Sequence, residues 1–119
     1  MNWKDLKVWK KAHGLVLEVY ELTASFPAEE RYGLISQLRR SVVSVAANIV
    51  EGQSRNTTKE YLSFLYNARG SLEEARYLLL LSKALEFINK DKFEQLEAKC
   101  EETSKMLNGL IQSLRKHNP

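Results

Sequence analysis

Residues 33–52, GLISQLRRSVVSVAANIVEG, carry two parallel stripes on one predicted helix. Ile35, Leu38, Val42, Val45 and Ile49 recur at spacings of three and four, the apolar seam of a helix packed in a bundle. Gln37, Ser41, Ser44, Asn48 and Glu51 keep the same spacings about 120° further round, at roughly 100° per residue. Surface helices usually fill their polar face with Lys and Glu; this one uses small uncharged hydrogen-bonding groups. Such a flank suits contact with another surface. Gln37, Ser41, Ser44 and Asn48 are therefore expected to form an oligomer interface or to line a central channel.

The flanking sequence extends the helical pattern. Only five Gly and two Pro occur in 119 residues, and Pro27 is the sole interior proline, which favours long helices over short strands. Asp5 is a candidate N-cap for a first helix over 5–24, with Leu6, Trp9, His13, Val16, Tyr20 and Thr23 as its seam. Phe26-Pro27 ends it, because the residue before a proline avoids helical geometry. A loose turn over 28–32 leads into the second helix, 33–51, with Gly52 as its C′ residue. Thr57 and Glu60 have capping-box spacing, so a third helix spans 58–86 on a seam of Tyr61, Leu65, Ala68, Leu72, Ala75, Leu79 and Ser82. After a turn near Asn89 a fourth helix runs over 91–115. Seams with a period near 3.5 and short connections predict an all-α, antiparallel up-down-up-down four-helix bundle with left-handed packing, as one domain over 1–119.

Composition sets outer limits. With 44% hydrophobic and 28% charged residues the chain reads as an ordinary globular domain. The start, MNWKDLKVWKK, lacks the apolar core of a secretory signal, and the longest apolar run, Tyr77 to Leu81, is far short of a membrane span. A cytoplasmic protein without membrane contact is expected. The single cysteine, Cys100, excludes an intrachain disulfide and lies on an apolar seam, as an inert core thiol would.

Enzyme chemistry finds little support. His13 and His117 lie far apart, Cys100 has no spaced partner, and no metal cluster results. The adjacent carboxylates Glu29-Glu30, Glu73-Glu74 and Glu101-Glu102 diverge by about 100° on a helix, so neither member supports the other. There is no glycine-rich phosphate loop and no serine motif with a nearby base. The chain is expected to be non-enzymatic, with no cofactor and no metal.

Binding is the better-supported class. A net charge of +3 and a pI near 9.0 permit contact with nucleic acid without demanding it. Lys4, Lys7 and Lys11 form a basic stripe on the first helix, with Lys10 nearby; it is a nucleic-acid contact or a solvated face. Arg55 and Lys59 flank Thr57 and Thr58 at the start of the third helix, where free backbone N–H groups suit a phosphate; ordinary capping is the plainer role. Arg40, at the edge of the polar arc, is a candidate for a phosphate, for a neighbouring subunit, or for plain exposure. Arg39 falls within the apolar arc and needs a partner, for which Glu73 or Glu74 is expected, with Gly70 giving it room. Gly70 costs roughly 1 kcal/mol relative to alanine inside a helix, which suggests close packing against helix two or a neighbour. Glu73 also has helical spacing to Arg69 and Arg76. Trp3 and Trp9 are expected as packing anchors, with an interface as the alternative for Trp3, which stands before the first helix.

A set of motifs then becomes recognisable: Val8-Trp9, Lys11-Ala12, Tyr20, Phe26-Pro27, Tyr32-Gly33-Leu34, Ser36-Gln37-Leu38-Arg39-Arg40, Ser44, Asn48-Ile49, Glu51-Gly52, Arg55 and Ala68-Arg69-Gly70-Ser71. Together, over roughly residues 3–85, they resemble the bacterial four-helix-bundle family met as open reading frames in intervening sequences of 23S ribosomal RNA genes. Val50 stands where that family has Ala. The chain is also similar to the accessory variability protein of diversity-generating retroelements, a basic barrel-shaped pentamer that binds nucleic acid and a reverse transcriptase. The resemblance implies a homopentamer with no catalytic activity. Five copies would carry +15, concentrated by symmetry. A homo-oligomer that binds RNA or DNA non-specifically is thus one expectation. A scaffold or adaptor for another protein, without a nucleic-acid role, is the other.

Overall fold

The computed structural model describes residues 2–117. Four helices, α1 (Lys7–Thr23), α2 (Leu34–Gln53), α3 (Thr58–Ala84) and α4 (Lys90–His117), form a bundle of 46 × 24 × 21 Å. Residue pairs across each seam descend in number on one helix as they rise on the other. Ser44 meets Ser71 while Gly52 meets Tyr61; Arg69 meets Asn108 while Arg76 meets Glu97; Lys11 meets Glu102 while Glu18 meets Lys99. Neighbours are therefore antiparallel. The fully buried layer includes Leu38, Ile49, Leu65, Leu72, Leu79, Leu96, Leu107 and Ile111.

Helix ends follow local chemistry, with two corrections. Asp5 does not cap α1. Asn2 caps a 3-10 turn over Trp3–Asp5 by accepting from the Lys4 N–H at 3.0 Å, and extended backbone at Leu6 delays α1 to Lys7. Gly52 is not a C′ residue either; it is buried inside α2. A Cβ there would lie 2.9 Å from the Tyr61 ring and 3.0 Å from Phe64 Cβ, so the missing side chain lets α2 and α3 approach. Thr57 caps α3 as expected, with the Glu60 N–H donating to Thr57 Oγ1 at 3.1 Å. The Glu60 carboxylate, however, accepts from the Thr57 hydroxyl in place of the backbone N–H of a full capping box. Asn89 caps α4 by accepting from the Lys92 N–H at 2.7 Å.

Beyond α3, Glu86 takes φ 64°, the left-handed geometry that closes a helix when the Phe87 N–H returns to the Ser82 carbonyl. A side chain is strained there. Glu86→Gly is expected to raise stability by about 1 kcal/mol, read as a shift in the urea midpoint at constant slope.

The α1 seam is rotated from its expected axis. Val8, Ala12, Leu15, Val19 and Thr23 are buried, whereas Trp9 and Val16 lie half-buried on the flank and His13 and Tyr20 are exposed. Cys100 sits in the core, and burial pushes its thiol up to about 12, an inert thiol as expected.

Arg39 does not pair with Glu73 or Glu74. It faces α1, where its Nε donates to Thr23 Oγ1 at 2.8 Å and its guanidinium lies 4.4 Å from the Tyr20 ring centre. Its charge is shared among a hydroxyl, a carbonyl of Tyr20 at 3.3 Å and a π face. Glu73 instead accepts from Arg76 at 3.0 Å, and Glu97 holds the same guanidinium from α4. These hydrogen bonds to Glu97 and Glu73 raise the Arg76 pKa.

Candidate nucleic-acid interface

Antiparallel packing gathers residues that are remote in sequence. The start of α1, the α2–α3 connection and the end of α4 share one end of the bundle. Lys4, Lys7, Lys11, Arg55 and Lys59 all lie there. Residues 2–15, 46–69 and 104–117 hold ten Lys and Arg against three Asp and Glu; residues 16–45 and 70–103 hold eight against twelve. A net charge of +3 conceals a bundle with one cationic and one anionic half. Lys10, Arg69, Lys105, Arg115 and Lys116 join the set without having been singled out as contacts by sequence. Summing charge by height along four antiparallel helices would have found them.

The side chains differ in how free they are. Lys11 pairs with Glu102 at 2.9 Å, with both side chains about half exposed. The Arg55 guanidinium lies 4.5 Å from the Phe64 ring centre, and Arg55 and Lys59 have no ion pair among the described residues. Thr57 is committed to Glu60, through both the backbone N–H and a 3.0 Å bond to the carboxylate. Its hydroxyl therefore serves the helix cap, and any anion here would meet Arg55 and Lys59. Arg40 is not part of the cluster. It lies in the other half, in a groove lined with Gln37, Ser41, Ser44, Ser71 and Glu74. Among the described residues no His, Cys, Asp and Glu group could hold a metal ion, and no helix is long and apolar enough to cross a membrane.

A model of the 23S rRNA-intervening sequence proteins matches residues 4–109. The chain belongs to that family. A solved structure of a protein of unknown function from the S23 ribosomal protein family of Bacteroides thetaiotaomicron superposes with a TM-score of 0.78 at 22% identity, covering 87% of this chain and 97% of that one. At that identity it shows the fold. No curated protein matches the chain.

In this member of the 23S rRNA-intervening sequence family, the hydroxyl-rich stripe finds its partners within the chain. Ser44 Oγ meets Ser71 Oγ of α3 at 2.9 Å, Asn48 Nδ2 donates to the Ser44 carbonyl at 2.8 Å, and Ser41 is buried with its hydroxyl on the Leu38 carbonyl. These residues were expected at a contact between subunits or along a channel; within the chain, Ser44 reaches α3, whereas Ser41 and Asn48 bond inside α2. Gln37 alone of the four is exposed.

Gly70 departs from the expected close packing within the chain. It is exposed, and a Cβ built there meets nothing within 4 Å, so it neither accommodates Arg39 nor packs against α2. It lies instead on a second, outward seam of α3. Tyr66, Gly70, Glu73, Tyr77, Leu80 and Ala84 recur at fours and threes, all exposed, with Tyr77 at 60% and Leu80 at 49%. The sequence hides this seam because Tyr77–Leu81 reads as one apolar block.

Proposed function

We propose that the chain is a non-enzymatic homo-oligomer, a ring of five by family resemblance, that binds RNA or DNA without reading sequence through the cationic end of its bundle. One observation carries this: the five basic candidates outside α2 converge on the half with ten cations against three anions. Phosphate recognition needs clustered, solvent-facing cations and no base-specific geometry. Assembly multiplies the effect, because copies in a ring add their fields.

We place the contact between copies on the outward seam of α3. Ser44 and Asn48 have satisfied one another inside the chain. The exposed Tyr77 and Leu80, by contrast, gain from losing water, and Gly70, two turns before Tyr77 on the same seam, allows a backbone to come close.

Salt dependence tests the binding. Affinity for a mixed RNA pool is expected to fall roughly 1000-fold or more between 50 and 200 mM salt, as for six or more phosphate contacts. Affinity unchanged over that range would favour a protein scaffold, for which charge serves solubility alone.

A further inference from the structure

The cationic end carries aromatic rings in an arrangement that the core does not require. Trp3 meets Trp9 edge-on, with centroids 4.8 Å apart and planes at 68°. Trp9 lies parallel to His13, at 5.0 Å and 8°. Lys4 Nζ is 5.5 Å from the Trp3 ring centre, and Lys10 is exposed one turn before His13. Core packing explains one member of this ladder, since Trp9 leans on buried residues. Trp3 stands in the turn ahead of α1, where no residue is buried, and His13 is exposed. Two further cation–ring pairs, Arg55 on Phe64 and Arg69 on Tyr66, lie in the same half.

We propose that the Trp3–Trp9–His13 ladder is a stacking site for unpaired bases, so that single strands are the preferred form of nucleic acid. The proposal rests on the nucleic-acid reading above and adds to it a class of ligand. Cations alone do not make this choice: phosphates are offered by strand and duplex alike, and more densely by the duplex. Base faces are available only where pairing and stacking are broken. Aromatic rings interleaved with Lys and Arg therefore suit a strand whose bases are free to turn onto them.

The test uses the full chain at low salt, titrated with an oligouridylate strand and with the same strand paired to oligoadenylate. Both tryptophans of the protein belong to the ladder, so intrinsic fluorescence reports on it directly. The strand is expected to bind roughly tenfold or more tightly than the duplex and to quench the fluorescence. Trp3→Ala and His13→Ala should each shrink the strand-over-duplex ratio. Trp3 lies outside the core and His13 on an exposed helical face, and circular dichroism verifies that both variants keep their helices. Salt-sensitive binding in which the duplex equals or exceeds the strand, without quenching, overturns the stacking site and leaves the proposed function standing. If neither form binds, both fall.

Discussion

Replacing Arg55 and Lys59 together by glutamate is expected to abolish RNA binding at moderate salt. The two side chains flank the start of α3, lack ion pairs among the described residues and face solvent. Double reversal leaves that half of the bundle with eight cations against five anions. Each lost phosphate contact also removes its counterion-release contribution, so the salt slope should become shallower as well as the affinity lower. A loss of roughly 100-fold or more is anticipated, multiplied if several copies hold one strand. Arg31→Glu combined with Arg40→Glu is the matched control, since this pair also changes the charge by four units but lies in the anionic half, with Arg40 beside Glu74. Filter binding across a salt series checks all three proteins. Equal losses in the two variants would show that total charge, rather than its placement, governs binding.

The second large effect concerns stability and contrasts two glycines of helix interiors. Gly52→Val should destabilise the chain by about 3 kcal/mol, because the new side chain must displace α3. The nearest atoms are the Tyr61 ring at 2.9 Å and Phe64 Cβ at 3.0 Å, and the latter is tied to the α3 backbone. Gly70→Ala should behave in the opposite way. Open space surrounds that position, so alanine adds helix propensity of about 1 kcal/mol to the isolated chain. If the α3 seam joins copies, the same methyl weakens assembly. Urea unfolding in parallel with sedimentation separates the two effects.

Much of the fold was legible in the sequence because it depends on local chemistry. Thr57 and Glu60 announced the start of α3, Phe26-Pro27 the end of α1, and the Leu65–Leu72–Leu79 line the deepest seam. Other features turned on which neighbour a side chain would meet. A helical wheel placed Arg39 near the apolar arc but could not distinguish α1 from α3, and the carboxylates of α3 were the wrong choice. The α1 axis was drawn through its large rings, whereas small Ala12 marks the true buried line. Gly52 looked like a helix end because glycine commonly is one; its role emerges from an interhelical approach. The cationic end was the least visible feature. Its members were apparent one by one, but their convergence depends on antiparallel packing of segments far apart in the chain.

Light scattering on the purified protein, with and without a mixed RNA pool at low salt, tests the central claim most directly. A particle of five times the 13.7 kDa of one chain, gaining mass when RNA is added, is the predicted result. A 13.7 kDa particle unchanged by RNA would contradict both the assembly and the binding.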